Sequence, residues 1–240
     1  MKNPSSLLCS CVFTLVSSLG AADFEGKVTM KITGPRDLPP ALNYSIKGTA
    51  TRIDLTMPGE VGRVAMLSDS AKSEMTILLL DQKMFMAQPL PKISGTTIES
   101  NGAALEASLE KSVVTEKILG YDCVKYTAKS PATTTELWVT DKLGTFAGFG
   151  GGNPLTGGLG GGRGGASAQP WEKALASLHA FPLRVVVAEG GQETFRMEAT
   201  AVVQQSVSSS LFVAPTDFQD LSAMLKGMSL PPGTKLPGGN

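Results

Sequence analysis

The sequence predicts a mainly β protein of the α+β class: a single antiparallel, strongly curved sheet or open half-barrel, covered by about three amphipathic helices. Three observations lead there. Most of the chain alternates apolar and polar residues with period two. The alternating runs are joined by short connections, several of them marked by Gly and Pro. Three separate stretches instead repeat their apolar residues at helical spacing.

The strands come first along the chain. Val28, Met30 and Ile32 alternate with Lys27, Thr29 and Lys31. Leu42, Tyr44 and Ile46 alternate with Asn43, Ser45 and Lys47, and Thr51, Ile53 and Leu55 with Arg52 and Asp54. Each reads as a half-buried strand, one face on a core and one toward water. Runs at 76–80 and 83–87 flank Asp81-Gln82 as a hairpin. Stretches 116–128 and 135–140 add two strands, and 183–188 and 193–203 flank Gly190-Gly191 as a second hairpin. The pattern predicts about nine to eleven strands with mostly short loops, as in an antiparallel sheet.

The helices are read from apolar stripes. Leu105, Leu109 and Val113 fall one turn apart after Asn101-Gly102. Pro170 opens a stretch in which Trp171, Ala174, Leu175 and Leu178 share a face. Thr216-Asp217-Phe218-Gln219 has the form of a capping box, followed by Leu221 and Leu225 on the face of Phe218. Such stripes need a partner, and the inner face of the sheet is the expected one.

Lys2, the uncharged apolar run from Leu7 to Leu19 and Gly20-Ala21-Ala22 predict a secretory signal peptide over residues 1–22. The mature chain is therefore expected to be exported to the periplasm or the exterior, with no integral membrane span. It keeps one cysteine, Cys123, so no internal disulfide forms. Residues 23–228 read as one domain. Its Gly-rich insertion at 144–165 holds twelve glycines and a single charge, Arg163. Residues 229–240 form a Pro/Gly-rich tail.

Chemistry is hard to place in this chain. Basic and acidic residues are equal at 21 each, so bulk charge gives nucleic acid no attraction. His179 is the one histidine, which leaves the usual metal and acid–base sites without material. Gly160 to Gly165 matches a dinucleotide-binding pattern only because the tract is glycine, and a Walker ending is missing. Ser108 and Lys111 have acyl-enzyme spacing without its companion motifs. Cys123 reads as a small buried hydrophobe. The sequence predicts no enzyme, no cofactor and no metal.

Four segments carry a resemblance. They are Ile118-Leu119-Gly120-Tyr121-Asp122-Cys123-Val124-Lys125-Tyr126, Thr135-Glu136-Leu137-Trp138-Val139-Thr140, Phe181-Pro182-Leu183-Arg184 and Leu211-Phe212-Val213-Ala214-Pro215. Together they resemble the domain-of-unknown-function 4412 family of secreted bacterial proteins, across most of residues 23–228. That family is similar in turn to lipoprotein carriers of the LolA/LolB type, which implies an incomplete β-barrel with helices plugging an apolar concavity. No catalytic residues come with the resemblance.

The expected function is a secreted or periplasmic, non-catalytic binding module for an acyl chain or a lipidated partner in the cell envelope. The alternative is a structural or interaction protein of the envelope with no small ligand. Methionines at Met30, Met66, Met75, Met84, Met86 and Met197 in the strands, with Met224 and Met228 in or near the last helix, suit varied apolar partners. The expected apolar contact surface is Val28, Met30 and Ile32 from the first strand, with Trp171, Leu175, Leu178, Phe218, Leu221 and Leu225 as helical lids.

Overall fold

The computed structural model describes residues 24–35, 38–57, 59, 62–69, 71, 72, 74–89, 109–146, 175, 178 and 180–222. Among them lie twelve strands: β1 (Glu25–Thr33), β2 (Ala41–Lys47), β3 (Ala50–Met57), β4 (Gly62–Asp69), β5 (Glu74–Leu79), β6 (Met84–Pro89), β7 (Leu109–Ile118), β8 (Tyr121–Lys129), β9 (Thr133–Thr140), β10 (Phe181–Glu189), β11 (Gln192–Gln204) and β12 (Gln219–Asp220). They form one sheet in the order β12-β6-β5-β4-β3-β2-β1-β11-β10-β9-β8-β7. Two meanders meet at its centre, where β1 pairs antiparallel with β11. Gly26 lies on this seam because a Cβ there would overlap the Val203 carbonyl oxygen.

The sheet departs from the predicted class in two ways, in its mixed pairing and in what covers it. It is mixed, since β12 pairs parallel with β6. It is open, with β12 and β7 at the two ends of the strand order. Among the described residues no α-helix covers it; the helical element with both ends described is a 3-10 turn at Ser209–Phe212. The 101–113 stripe fails because Leu109 onward is β7, where the β-branched run Val113-Val114-Thr115 favours extended backbone. The capping-box reading fails because the Phe218 amide closes a turn on the Pro215 carbonyl and Gln219-Asp220 join the sheet. Of the 170–178 stretch, Leu175 and Leu178 are described; Leu175 is α-helical, and the Leu178 amide donates to its carbonyl at 3.0 Å. The rest lies outside the described residues.

Two turns redraw the strand boundaries. The expected strand at 116–128 is a hairpin, because Leu119 and Gly120 both take positive φ, 50° and 88°. Gly190 and Gly191 do the same at the predicted β10–β11 turn, at 56° and 84°. The edge strand β7 carries a bulge between Lys111 and Thr115, which leaves Val113 98% exposed. A bulge of this kind spoils the edge as a template for another strand.

The inner face holds the main core. Val28, Met30, Leu42, Tyr44, Ile77, Leu137, Leu183, Val185 and Met197 are fully or almost fully buried. At about 4.8 Å per strand, β2 and β10 would stand about 14 Å apart in a flat sheet. Yet the rings of Tyr44 on β2 and Phe181 on β10 meet edge to face at 5.2 Å between centroids. The sheet must bend between them. Phe146 completes the group at 5.8 Å from Tyr44 and 5.6 Å from Phe181, anchored by its amide on the Ala180 carbonyl.

A second, smaller core lies on the outer face of β4–β6. Ala65, Leu67 and Leu78 are buried there against Leu80, Phe85, Ala214 and Phe218. The chain after β11 runs across this face as a strap. The Glu25 carboxylate accepts from the Val207 amide at 2.6 Å, and Lys47 Nζ donates to the Val207 carbonyl at 2.9 Å. The Arg52 guanidinium then holds the Leu211 carbonyl at 3.2 Å.

Candidate functional site

The two faces of the sheet present different chemistry. On the inner face, period-two geometry puts Val28, Met30 and Ile32 in one apolar row while Lys27 and Lys31 face out. Leu175 and Leu178 join the same cluster. Met30, Met66, Met75 and Met197 are buried, and Met57, Met84 and Met86 are half-buried against this core. Three residues therefore come together with two of their predicted lids. Phe218 does not join them, because it packs on the opposite face in the second core. Leu221 is half-buried just beyond β12. Trp171 and Leu225, with Met224, Met228 and His179, lie outside the described residues.

The outer face of β7–β11 carries a ladder of ion pairs that sequence reasoning misses. Trp138 on β9 sits under two cations, with Lys125 Nζ and Arg184 Cζ each 5.1 Å from its ring centroid. Arg184 on β10 bonds Glu198 on β11 at 2.8 Å and reaches over β9 and β8 to Glu116 on β7, also at 2.8 Å. Burial works against the Arg184 charge, and the hydrogen bonds to Glu116 and Glu198 outweigh it, so its pKa is raised. Lys125 bonds Glu136 at 2.6 Å, and Arg196 holds Glu193 at 2.6 Å. Each of these charges has a partner. Single-residue spacing could not reveal the ladder, because its partners meet across strands distant in sequence.

Cys123 lies on β8 beside this ladder and is fully buried. Burial pushes its thiol up to about 11, with Glu116 adding to the rise and Ile118 and Arg184 opposing it. Sγ donates to the Tyr121 carbonyl at 3.6 Å. A protonated, enclosed thiol is a poor nucleophile. Iodoacetamide at about pH 8 should therefore leave the native protein unlabelled and label it promptly after denaturation; rapid labelling of the native protein would refute the burial. The linked stability is present below the unfolded thiol's pKa and is lost as pH rises through about 11, because the unfolded chain releases this proton first.

Among the described residues, two open clefts lie away from the predicted contacts. One, of about 600 Å³, lies between the β8–β9 and β10–β11 turns, with Thr134, Glu136, Val186 and Glu193 in its wall. The other, about 170 Å³, is lined by Lys31, Arg196 and Glu198 among others. Neither is lined by any residue expected to contact an acyl chain. Among the described residues no three His, Cys, Asp or Glu side chains are grouped to hold a metal ion. No described helix is long and apolar enough to cross a membrane. Ser108 lies outside the described residues, and Lys111 is on strand β7.

Solved structures of low identity align with most of the chain. An uncharacterized conserved protein from Thermus thermophilus is 11% identical over 82% of this chain and 90% of its own, with a TM-score of 0.46. PNGF-II is 15% identical over 85% of this chain, which spans 32% of that protein, with a TM-score of 0.46. MucB, solved in complex with MucA(peri), is 12% identical over 83% of this chain and 56% of its own, with a TM-score of 0.41. No curated protein matches the chain. The family described as domain of unknown function DUF4412 matches residues 24–218, and the chain belongs to that family.

Proposed function

We propose that the mature chain is an exported, non-catalytic interaction module that engages a protein partner through its outer surface. One observation carries this reading. The inner face is already closed: of the residues expected to contact an acyl chain Val28, Met30 and Leu175 are fully buried, and so are their neighbours Leu42, Tyr44 and Phe181. A site for an acyl chain needs open apolar volume. A second reading, an adaptable apolar binder, is favoured by the half-buried Met57, Met84 and Met86 at the β3–β6 end of that face.

Intact-mass spectrometry of the protein from its native host separates the two. The interaction reading expects the polypeptide alone, beginning at Asp23. A stoichiometric acyl-lipid adduct overturns it in favour of the binder, and retention of Met1 overturns export.

A further inference from the structure

The end of the strap is held differently from its beginning. Near β2 it is tied by both polar groups of Val207, through Glu25 and Lys47. At β6 its polar contacts include those of Lys83 and a two-residue strand. Lys83 Nζ donates to Asp217 at 2.9 Å, and the Lys83 carbonyl accepts from the Gln219 amide at 2.9 Å. Lys83 makes both bonds from a left-handed backbone, φ 53°, that a lysine rarely adopts. Gln219 and Asp220 then pair with Met84 and Phe85. Under this end lies the apolar floor of Ala65, Leu67 and Leu78, with Phe85 and Leu80 at its rim.

These parts make a site with three kinds of recognition. The β6 edge reads main chain, Lys83 reads a carboxylate, and the apolar floor reads an aromatic ring. This is how strand-addition sites bind extended segments. In the structure the occupant is the chain's own segment Ala214–Asp220, with its small apolar residue, carboxylate, ring and two strand residues. We propose that residues 213–220 are a displaceable latch over a peptide-binding groove, and that the groove takes an extended partner segment carrying the latch's own apolar–acidic–aromatic pattern. This rests on the interaction reading above. The Lys83–Asp217 pair is exposed on both sides, so it locks the latch only lightly. A closed latch lowers the affinity for a competing segment by the fraction of time the groove is covered.

The test uses the full mature chain and a fluorescent synthetic peptide spanning Ala214–Asp220. Asp217→Ala in the protein loosens the latch and leaves Lys83 in place. The peptide should bind this variant about threefold more tightly than wild type. A peptide with Asp217→Lys should bind more weakly than the Asp peptide, and Lys83→Ala added to the protein should weaken binding of the Asp peptide about threefold. Hydrogen exchange guards against misfolding: the Phe218 and Gln219 amides should exchange about threefold faster in Asp217→Ala, with the β1 and β10 amides unchanged. Faster latch exchange without peptide binding overturns the groove, and so does equal binding of the Asp and Lys peptides. Unchanged exchange at Phe218 and Gln219 overturns the latch. A lipid adduct on the intact protein would refute the interaction reading and leave these readouts as they are.

Discussion

Met30→Glu should leave the mature chain unfolded at neutral pH. Met30 is fully buried in the inner core, paired with Leu42 on β2 and Ala199 on β11. Among the described residues no buried side chain is charged. An unpaired carboxylate there costs several kcal/mol, comparable with the about 5–15 kcal/mol that holds a domain together. The volume-conserving Met30→Leu should cost less than about 1.5 kcal/mol and separates charge from shape. Circular dichroism and soluble yield read the result. A folded Met30→Glu protein with the wild-type thermal midpoint would show that water reaches the inner face, and the interaction reading would lose its main support.

The second large effect is expected at Phe181. Phe181→Ala should lower the unfolding free energy by about 3–5 kcal/mol, the range for deleting a buried ring. The loss has two parts. One is the cavity left between β2 and β10. The other is the edge-to-face contact with Tyr44 and Phe146, worth about 0.5–1.5 kcal/mol for each pair beyond burial. Because these rings join strands far apart in the sheet, the variant should also relax its bend. Denaturant titration gives the energy. A loss under about 1 kcal/mol would mean that the rings fill space without holding the bend.

How much of this is legible in the sequence depends on how many faces a strand buries. In β1 one face is wet, so Val28, Met30 and Ile32 stand out against Lys27 and Lys31, and the inner row can be read directly. In β4 the run Val64-Ala65-Met66-Leu67 is buried on both faces, because the strap covers the outer one. Its alternation vanishes, and periodicity predicts no strand there. The 105–113 and 216–225 stripes mislead because apolar residues three or four apart also arise by chance across a bulge or a turn. The bulge in β7 supplies such a spacing at Leu109 and Val113, and Phe218 lies in the turn from Pro215, ahead of the α-helical Leu221 and Ser222. The Trp138 ladder is out of reach, since Glu116, Trp138, Arg184 and Glu198 become neighbours only through strand order.

The central seam carries a kinetic consequence. The first strand, Glu25–Thr33, finds one of its two neighbours only in Gln192–Gln204, near the far end of the chain. Contacts of such sequence separation require a large loop to close before any reward, and this slows folding. A ribosome delivers residues N-terminal first, so for most of synthesis β1 has β2 on one side and nothing on the other. The half of the sheet from β1 to β6 therefore keeps an unsatisfied edge at β1 until β11 is made. Its completion awaits the last fifth of the polypeptide, and a holding chaperone has its longest opportunity in that interval.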